Sequence, residues 1–227
     1  MTSAAERDGD RGRRERDQIS FSTIRRLSRY YRVLETAAEE DLTHISSNQL
    51  AERNGVTSAQ VRKDLSYFGT FGKRGLGYPV RELRDEILRI LGMDHQWPVV
   101  LVGAGNIGRA MIDYVEFRRR GFFIVAAFDV DPKKLGISYK GVPVFPMFRL
   151  PEVMQTHEVE IGIVAVPALS AQRVCNQLAE SGVKGILNFA HTRLIVPPGI
   201  RVRTVDMSIE METLVYVVNK NSPFPLD

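Results

Sequence analysis

The sequence predicts an α/β protein with an N-terminal winged helix-turn-helix domain, a Rossmann-type parallel-sheet domain and a C-terminal helix. Two observations predict this architecture. The first is a pair of short helices with nearly identical start signals around Asn54-Gly55, followed by a glycine-rich stretch. The second is an alternation of short apolar runs with helical stretches, in which the first run ends in the glycine loop Gly103–Gly108.

The composition excludes several classes of protein. The 227 residues are 44% hydrophobic and 26% charged, as is typical of a globular chain. No apolar run approaches the roughly 18 residues needed to span a bilayer. The charged N-terminus lacks the apolar stretch of a signal peptide. We therefore expect a cytoplasmic protein without a membrane partner.

The cysteine content argues against disulfides and cysteine-based metal sites. Cys175 is the single cysteine, and its helical surroundings favour a packing role. The sequence has no metal-ligand spacing elsewhere, so we expect no metal.

The basic charge is concentrated in one segment. The formal net charge is +4, and residues 20–85 carry 11 basic side chains against 8 acidic ones. Cations gathered in one segment favour contact with phosphate, although the excess here is modest.

The N-terminal elements follow from helix start signals. Apolar residues have helical spacing over residues 21–34. Ser46 and Thr57 each begin a short helix with glutamine three residues later, which is the pattern of a capping box. The turn Asn54-Gly55 joins these two helices.

A glycine-rich wing is predicted after the second short helix. Four glycines within residues 69–77 exclude a helix and indicate a hairpin with a tight tip. Lys73 and Arg74 lie at that tip, where we expect them to enter the minor groove of a bound DNA duplex.

The second short helix separates a buried face from an outward face. Val61, Leu65 and Phe68 fall within one narrow arc. The opposite face has cations, a hydroxyl and a phenol but no carboxylate, because Asp64 is expected to project to one side. Arginine and lysine bind guanine edges or phosphate, and serine and tyrosine usually bind phosphate. The predicted DNA-binding residues are Ser58, Gln60, Arg62, Lys63, Ser66, Tyr67, Lys73 and Arg74.

The remaining chain alternates strands and helices, which predicts a parallel sheet covered on both faces. A helical connector is predicted over residues 83–91. The predicted strands are residues 99–102, 123–128, 142–145, 161–166 and 186–189. The predicted helices are residues 107–120, 147–156, 169–181 and 207–218. The last helix has a broad apolar stripe, which either docks onto another subunit or packs on its own domain. The predicted domains are a disordered tail (1–18), a DNA-binding domain (19–85), a dinucleotide-binding domain (86–206) and a C-terminal helix with its tail (207–227).

The glycine loop has the context that a dinucleotide site needs. A buried strand ends directly before it, and a helix whose N-terminus offers free N–H donors follows it. The first glycine permits the tight turn, the second lets the backbone approach a pyrophosphate, and the third lets helix and strand pack closely. The predicted loop contacts are Gly103, Ala104, Gly105, Asn106, Ile107 and Gly108.

An acidic residue ends the next strand. Asp129 follows Gly108 by 21 residues, which places it to accept hydrogen bonds from the ribose hydroxyls. Its charge favours NAD(H) over NADP(H), while Lys133 and Lys134 nearby oppose that preference. An empty Rossmann-like domain, or one that binds another nucleotide such as an acyl-CoA, remains an alternative.

An enzyme is disfavoured, and we expect no catalytic residue. After the sheet ends near Asp206, about 20 residues remain, too few for a substrate domain. The four histidines form no obvious set with a carboxylate. His191 follows a strand end, where catalysis is conceivable but polar surface is the commoner role. An NAD(H)-dependent oxidoreductase fused to a DNA-binding arm is the remaining enzyme alternative.

Together these residues resemble the bacterial redox-sensing transcriptional repressor family, Rex, over about residues 20–220. The most specific matches are Gln60–Gly69, Phe71–Gly75, Gly77-Tyr78, Val102–Ala110, Asn188-Phe189 and Val205-Asp206.

The resemblance implies a homodimer with a swapped C-terminal helix. It also implies binding to palindromic double-stranded operator DNA that NAD+ permits and NADH reverses. Tyr114 matches a tyrosine that approaches the nicotinamide, and Asn188 and Phe189 join the implied cofactor site. Tyr114, Asp206 and Arg32 match a network thought to distinguish the two states. Since NAD+ carries a ring cation that NADH lacks, a nearby carboxylate and arginine can bias a two-state dimer.

One position departs from the family pattern. Where the family usually has proline after Asn-Phe-Ala, this chain has His191. Because proline fixes φ, the hypothesis is that this loop is looser or responsive to pH here.

Overall fold

The computed structural model describes residues 19–73 and 75–220, and the chain divides after Asp94 into two compact units. The sequence places this boundary after residue 85, which is too early. The helix that spans residue 85 buries Leu83 and Ile87 in the core of the first unit, so it belongs there throughout. The predicted tail 1–18 and residues 221–227 lie outside the described residues.

The described part of the first unit consists of helices of 6 to 19 residues and a small antiparallel sheet. Its elements are α1 (Phe21–Glu39), β1 (His44–Ile45), α2 (Ser47–Glu52), α3 (Ser58–Ser66), β2 (Tyr78–Pro79) and α4 (Val80–Ile90). The core side of α1 presents Leu27, Tyr30, Leu34 and Ala37, all without solvent exposure. This spacing of three and four residues keeps one helical face in the core.

The two helix starts behave differently. At Ser46, the hydroxyl accepts from Gln49 N and the Gln49 side chain accepts from Ser46 N, which confirms the predicted capping box. At Thr57, the hydroxyl accepts from Gln60 N. The Gln60 side chain instead donates to Asp64, so the second box is incomplete.

The wing is shorter than the predicted hairpin. A single antiparallel bridge joins Lys73 to Gly77, and β2 pairs with β1 of the helix-turn-helix. Positive φ angles at Gly72, Gly75 and Gly77 turn the chain repeatedly, so the described residues of this stretch form no wing strand besides that bridge.

The second unit is a seven-stranded sheet flanked by helices. Its strands are β3 (Trp97–Val102), β4 (Phe122–Asp129), β5 (Ser138–Tyr139), β6 (Val142–Pro146), β7 (Ile161–Val164), β8 (Gly185–Asn188) and β9 (Arg201–Thr204). Its helices are α5 (Asn106–Asp113), α6 (Val115–Arg119), α7 (Leu150–Thr156) preceded by a 3₁₀ turn (Met147–Arg149), α8 (Ala168–Glu180) and α9 (Met207–Lys220).

The strand order is β5-β6-β4-β3-β7-β8-β9, and every pair except β5 with β6 is parallel. From β6 to β9 this is the order of a dinucleotide-binding Rossmann sheet. The order reverses between β3 and β7, and ligands bind such sheets at this switch point, beyond the carboxyl ends of the strands.

Alternate residues of β3 supply the two faces of the sheet. Val100 and Val102 pack in one apolar layer, and Val99 and Leu101 pack in the other. Cys175 of α8 is fully buried in the first layer, as its predicted packing role requires. Burial raises the pKa of its thiol.

Three elements of the second unit differ from the sequence prediction. The helix predicted over residues 107–120 breaks at Tyr114, whose backbone is extended (φ −73°, ψ 97°). The break lets Phe117 pack edge-on against Phe122 while Tyr114 stays half exposed. The sheet also gains β5, a two-residue strand, and β9, a mostly exposed edge strand, and neither has the apolar run that marks the other five strands.

The C-terminal helix α9 carries an exposed apolar surface. At least two-fifths of each of these side chains is exposed: Met207, Ile209, Met211, Leu214, Val215, Tyr216 and Val218. Within the described part of the chain, no helix has the length and apolar content needed to cross a bilayer.

Candidate DNA-reading and dinucleotide sites

Helix α3 has the two faces that the sequence predicts. Val61 and Leu65 are buried, at 0% and 2% exposure. Arg62, Lys63, Ser66 and Tyr67 are all exposed. The first unit therefore presents cations, a hydroxyl and a phenol on one surface, which is the chemistry that binds phosphate and guanine edges.

Several residues of the predicted DNA set already have partners within the unit. The Arg62 guanidinium donates to Ser47 Oγ at 2.9 Å, which links α3 to α2. Ser66 Oγ donates back to Lys63 O at 2.7 Å. Gln60 donates its amide to Asp64, so this side chain turns inward rather than outward. Ser58 is partly buried at the start of α3, Lys73 is exposed in the wing, and Arg74 lies outside the described residues.

Asp64 does not project to one side as the sequence analysis expects. Its side chain is fully buried and accepts two hydrogen bonds from Arg26 of α1, at 2.6 Å from Nε and 2.7 Å from Nη2. Tyr30 OH donates to it at 2.8 Å. The spacing of Asp64 with Val61, Leu65 and Phe68 was the signal for this burial, because these positions share one helical face.

The electrostatics of this cluster favour an ionised Asp64. Burial alone raises the pKa of the Asp64 carboxyl, but the hydrogen bonds from Arg26, Tyr30 and Gln60 outweigh it and hold that pKa below its usual value. Burial and the bond to Asp64 raise the pKa of the Tyr30 phenol. The ionised form of Asp64 therefore stabilises the fold at neutral pH relative to the protonated form, and this contribution is lost as acid protonates the carboxyl.

The glycine loop of the second unit is fixed by contacts that exclude side chains. Gly103 has a φ of +103°, and a Cβ there would lie 2.3 Å from Ala165 O. A Cβ on Gly108 would lie 1.9 Å from Gly103 O. A Cβ on Gly105 would meet nothing within 4 Å. The first and third glycines are therefore required by the protein itself, whereas the second leaves open space beside the backbone.

Asp129 ends β4 beside this loop, and its carboxylate accepts four hydrogen bonds. One oxygen accepts from Ala104 N and Lys134 Nζ, both at 2.9 Å. The other accepts from Val130 N and Asp131 N at 2.8 and 2.9 Å. Burial alone raises the pKa of this carboxyl, but these donors outweigh it and lower the pKa. Lys134 is the only side chain among the four donors, so it is the one that can make way for another donor.

A cleft of about 360 Å³ opens at the switch point of the sheet. Its lining includes Gly103 and Gly105 of the glycine loop, Asp129 and Lys134, and Pro167, which directly precedes α8. A concave site of this size, at this place in a Rossmann sheet, suits one half of a dinucleotide.

The other predicted cofactor residues lie at strand and helix ends. Tyr114 is half exposed at the break between α5 and α6, edge-on to Phe117 at 5.2 Å. Phe189 is partly buried against the apolar layer that contains Leu101. Asn106 and Ile107 begin α5.

Asn188 is an anchor for the loop after β8 rather than a group that faces the cleft. It is fully buried, and its amide donates to Ala190 O, Thr192 O and Thr204 Oγ1. Its side-chain oxygen accepts from Ala190 N. The sequence match places Asn188 at the right strand end, but its contacts are with the protein.

Two residues of the predicted switch, Asp206 and Arg32, belong to different units. Asp206 Oδ1 lies 3.6 Å from His191 Nε2 and accepts from Ser208 N at the start of α9. The Ser208 hydroxyl also donates to Asp206 Oδ1. This bond, and after it the bond from Ser208 N, lowers the pKa of the Asp206 carboxyl, and His191 contributes less. Arg32 is exposed on α1 of the first unit.

Metal chemistry finds no support in residues 19–73 and 75–220. No group of three or more histidine, cysteine, aspartate or glutamate side chains is placed there to hold a metal ion.

Two family models match the chain. One, described as a CoA binding domain, matches residues 94–192. The other, described as the N-terminus of a putative DNA-binding protein, matches residues 18–66. The two matches fall in the two structural units.

Curated relatives align over almost the whole chain. The redox-sensing transcriptional repressor Rex of Carboxydothermus hydrogenoformans is 50% identical over 204 residues, which cover 90% of this chain and 98% of the relative. The redox-sensing transcriptional repressor Rex of Pelotomaculum thermopropionicum is 48% identical over 206 residues, which cover 90% of this chain and 97% of the relative.

Solved structures share the fold across both units. The crystal structure of RSP in complex with β-NAD+ and operator DNA has a TM-score of 0.85 at 36% identity, covering 89% of this chain and 94% of that chain. The crystal structure of RSP in complex with β-NADH has a TM-score of 0.82 at 34% identity, covering 90% of this chain and 96% of that chain.

Substitutions at two glycines separate their roles. In Gly108→Ala the methyl group collides with backbone, so we expect the melting temperature to fall by at least about 5 °C and dinucleotide binding to weaken with it. In Gly105→Ala the methyl group enters open space at a φ of −82°. We expect its melting temperature to stay near that of the wild type while its affinity for NADH falls about tenfold or more. Thermal unfolding and fluorescence titration with NADH measure both.

An unchanged NADH affinity in Gly105→Ala would contradict the assigned approach of a pyrophosphate to this backbone. A melting temperature for Gly108→Ala equal to that of Gly105→Ala would contradict the required helix-strand contact.

Proposed function

The chain belongs to the Rex family of redox-sensing transcriptional repressors, and on this premise we propose that bound NAD+ or NADH sets its affinity for operator DNA. The single observation that carries the proposal is the structural match to RSP with both NAD+ and operator DNA bound. In this proposal, the first unit of the chain binds palindromic double-stranded DNA, and the second unit binds NAD(H). NAD+ permits DNA binding, and NADH releases the repressor.

The dinucleotide site rests on the chain's own residues. The open space at Gly105 admits a pyrophosphate, and the N-terminus of α5 supplies free N–H groups toward it. We assign the loop from Gly103 to Gly108, with Tyr114, Asp129 and Phe189, to this site. Asn188 supports it by holding the following loop in place. For Asp129 to bind a ribose hydroxyl, the Lys134 ammonium gives up its bond to the carboxylate.

The DNA-binding surface rests on the exposed face of α3 and on the wing. Lys63 and Tyr67 lie outward on α3, Arg62 reaches across to α2, and Lys73 lies in the wing. We assign phosphate or base contacts to these residues together with Ser58, Gln60, Ser66 and Arg74. Because the amide nitrogen of Gln60 is turned inward to Asp64, its assigned contact is made by the side-chain oxygen, which accepts from a base amino group and not from phosphate.

The switch follows from the charge of the nicotinamide ring. NAD+ is cationic at the ring and NADH is not, so a carboxylate and an arginine near it favour different states of the dimer. We assign Tyr114, Asp206 and Arg32 to this network. A ligand must favour one state by about 5.5 kcal/mol to move a population from 1:99 to 99:1.

The chain acts as a homodimer, and α9 is the element suited to form it. Its exposed apolar side chains need cover, and a second copy of the chain supplies it by exchange of this helix. We propose that the C-terminal helix is swapped between the two subunits.

The relatives remove the main alternatives. They are transcriptional repressors and not enzymes, which excludes the oxidoreductase with a DNA-binding arm. The CoA-binding description fits the Rossmann-type unit in general, whereas two of the structures that match both units contain NAD+ or NADH. As a DNA-binding repressor, the chain is proposed to be cytoplasmic.

The proposal is tested by titrating the protein on DNA with each dinucleotide. A labelled palindromic duplex is first selected from random sequence by the protein itself. We expect NADH to release it at concentrations at which NAD+ has no effect, because only one ring charge favours the DNA-binding state. Salt is held fixed, since phosphate contacts make DNA affinity strongly salt-dependent. If neither dinucleotide changes the affinity for DNA, the assignment of the first unit to DNA binding stands, and the proposal that NADH is the signal is wrong.

Charged substitutions on α9 test the dimer. We expect Leu214→Asp combined with Val218→Asp to weaken self-association about 100-fold or more. Each substitution removes an apolar side chain whose burial in the proposed interface contributes about 1.5 kcal/mol or more. Sedimentation equilibrium measures the change. Thr156→Asp, which adds a charge at an exposed position of α7, is the control. Equal dissociation constants in the α9 variant and the control would rule out α9 as the interface.

The position of His191 tests the pH hypothesis. At the position where the family usually has proline, His191 Nε2 lies 3.6 Å from Asp206 Oδ1, a carboxylate of the proposed switch. We therefore expect the NADH response of the wild type to differ between pH 6 and pH 8, and His191→Pro to lose most of this difference. An NADH response unchanged from pH 6 to pH 8 in both proteins would dispose of the hypothesis.

A further inference from the structure

The buried Asp64 cluster is charged, saturated and placed behind the DNA-reading helix. Asp64 Oδ1 accepts from Arg26 Nη2 and from Gln60 Nε2, both at 2.7 Å. Asp64 Oδ2 accepts from Arg26 Nε at 2.6 Å and from Tyr30 OH at 2.8 Å. A carboxylate has about four lone-pair sites, so every acceptor position of this buried group is filled.

Such a cluster is an inefficient way to stabilise a fold. A buried ion pair loses the hydration of both partners, and well-packed apolar residues of similar volume are often as stable or more stable. The same core already contains fully buried apolar residues such as Leu27 and Val61. Stability alone therefore does not account for the bidentate hydrogen bond from Arg26 of α1 to Asp64 of α3.

Orientation accounts for it better. Apolar contacts at Val61 and Leu65 are non-directional, so on their own they tolerate small rotations of α3 about its axis. A rotation of about 20° moves a side-chain tip that lies about 6 Å from the axis by about 2 Å. Hydrogen-bond lengths span only about 0.5 Å, so the two parallel bonds from the Arg26 guanidinium do not survive that rotation.

The outward face of α3 depends on the same rotation. Lys63 directly precedes Asp64 in the helix, and Tyr67 follows it by three residues. A displacement of about 2 Å exceeds the tolerance of a hydrogen bond to a base edge. Contacts with phosphate are less demanding, because a lysine ammonium on a flexible stem acts as a point charge.

We propose that Asp64, held by Arg26 and Tyr30 of α1, is the positioning residue that fixes the rotation of α3 and so selects which base edges this helix reads. The proposal rests on the proposed DNA-binding function. Asp64 itself touches no DNA in this assignment, and its effect is confined to discrimination between sequences.

The test replaces the cluster by apolar residues of similar size. The triple variant is Arg26→Met, Tyr30→Phe, Asp64→Leu. It leaves the net charge unchanged, and the three new side chains have no polar group that would be buried without a partner. Its dissociation constants are measured for the selected palindromic duplex and for a scrambled duplex of equal length and composition. We expect the operator affinity to fall about 10- to 100-fold, which is the worth of one or two base contacts. We expect the scrambled duplex, the slope of affinity against salt and the NADH affinity to stay within twofold of the wild type.

The matched control removes an exposed ion pair from the same unit. Glu86 and Arg89 pair on the surface of α4. The variant Glu86→Gln with Arg89→Met removes one acidic and one basic group, so it also leaves the net charge unchanged. We expect neither dissociation constant to change. If the triple variant does not fold, Asp64→Asn, which keeps the shape and loses the charge, is measured in the same way.

The outcomes separate positioning from simple structural support. A fall in operator affinity alone, with a melting temperature at or above that of the wild type, supports the proposal. An unchanged ratio of operator to scrambled affinity overturns it, and so does an equal fall in both affinities together with a lower melting temperature. Failure of the proposed function itself is distinguishable, because the wild type would then show no preference for any selected duplex.

Discussion

The close approach of α5 to β3 is the steric constraint on which the second unit depends. A Cβ at Gly108 would lie 1.9 Å from Gly103 O, so only glycine lets the helix begin where it does. Because α5 begins there, its unpaired N–H groups lie at the carboxyl end of β3, where the strand order reverses. Asp129 reinforces this arrangement by accepting from Ala104 N, which ties the end of β4 to the same loop. The cleft and its positive potential follow from that one contact.

The two units achieve their order by different physical means. The second unit has apolar layers on both faces of a seven-stranded sheet, so its strands are fixed by packing and by the ladder of backbone bonds. The first unit has a smaller core and adds a directional, charged joint between α1 and α3. Helix α1 thereby carries Arg26, which holds α3, the proposed DNA-reading helix, and Arg32, which is assigned to the proposed switch. A single helix thus combines the residues of both tasks in this unit.

The features that were predicted best from the sequence are those that depend on residues close together in the chain. The cap at Ser46 and the buried strand before Gly103 are set by positions a few residues apart, and both are confirmed. The spacing of Asp64 with Val61 and Leu65 indicated its burial, but Arg26 and Tyr30, the partners that make burial of its charge acceptable, lie 38 and 34 residues away in the chain. The boundary at residue 85 was early for the same reason, since the burial of Ile87 depends on tertiary packing. At Asn188 the motif identified the strand end, but the loop that it anchors became visible only with the fold.

The burial of Cys175 has a consequence for how a redox signal is stored. Oxidants attack thiolates that reach solvent, and this thiol is fully buried with a raised pKa. Since the chain has no other cysteine, its response to redox state need not involve any change to its own covalent structure. The signal then lasts only as long as the dinucleotide stays bound. Such a sensor keeps no chemical memory of past oxidation, needs no reductase to reset it, and follows the cellular pool at the rate of ligand exchange.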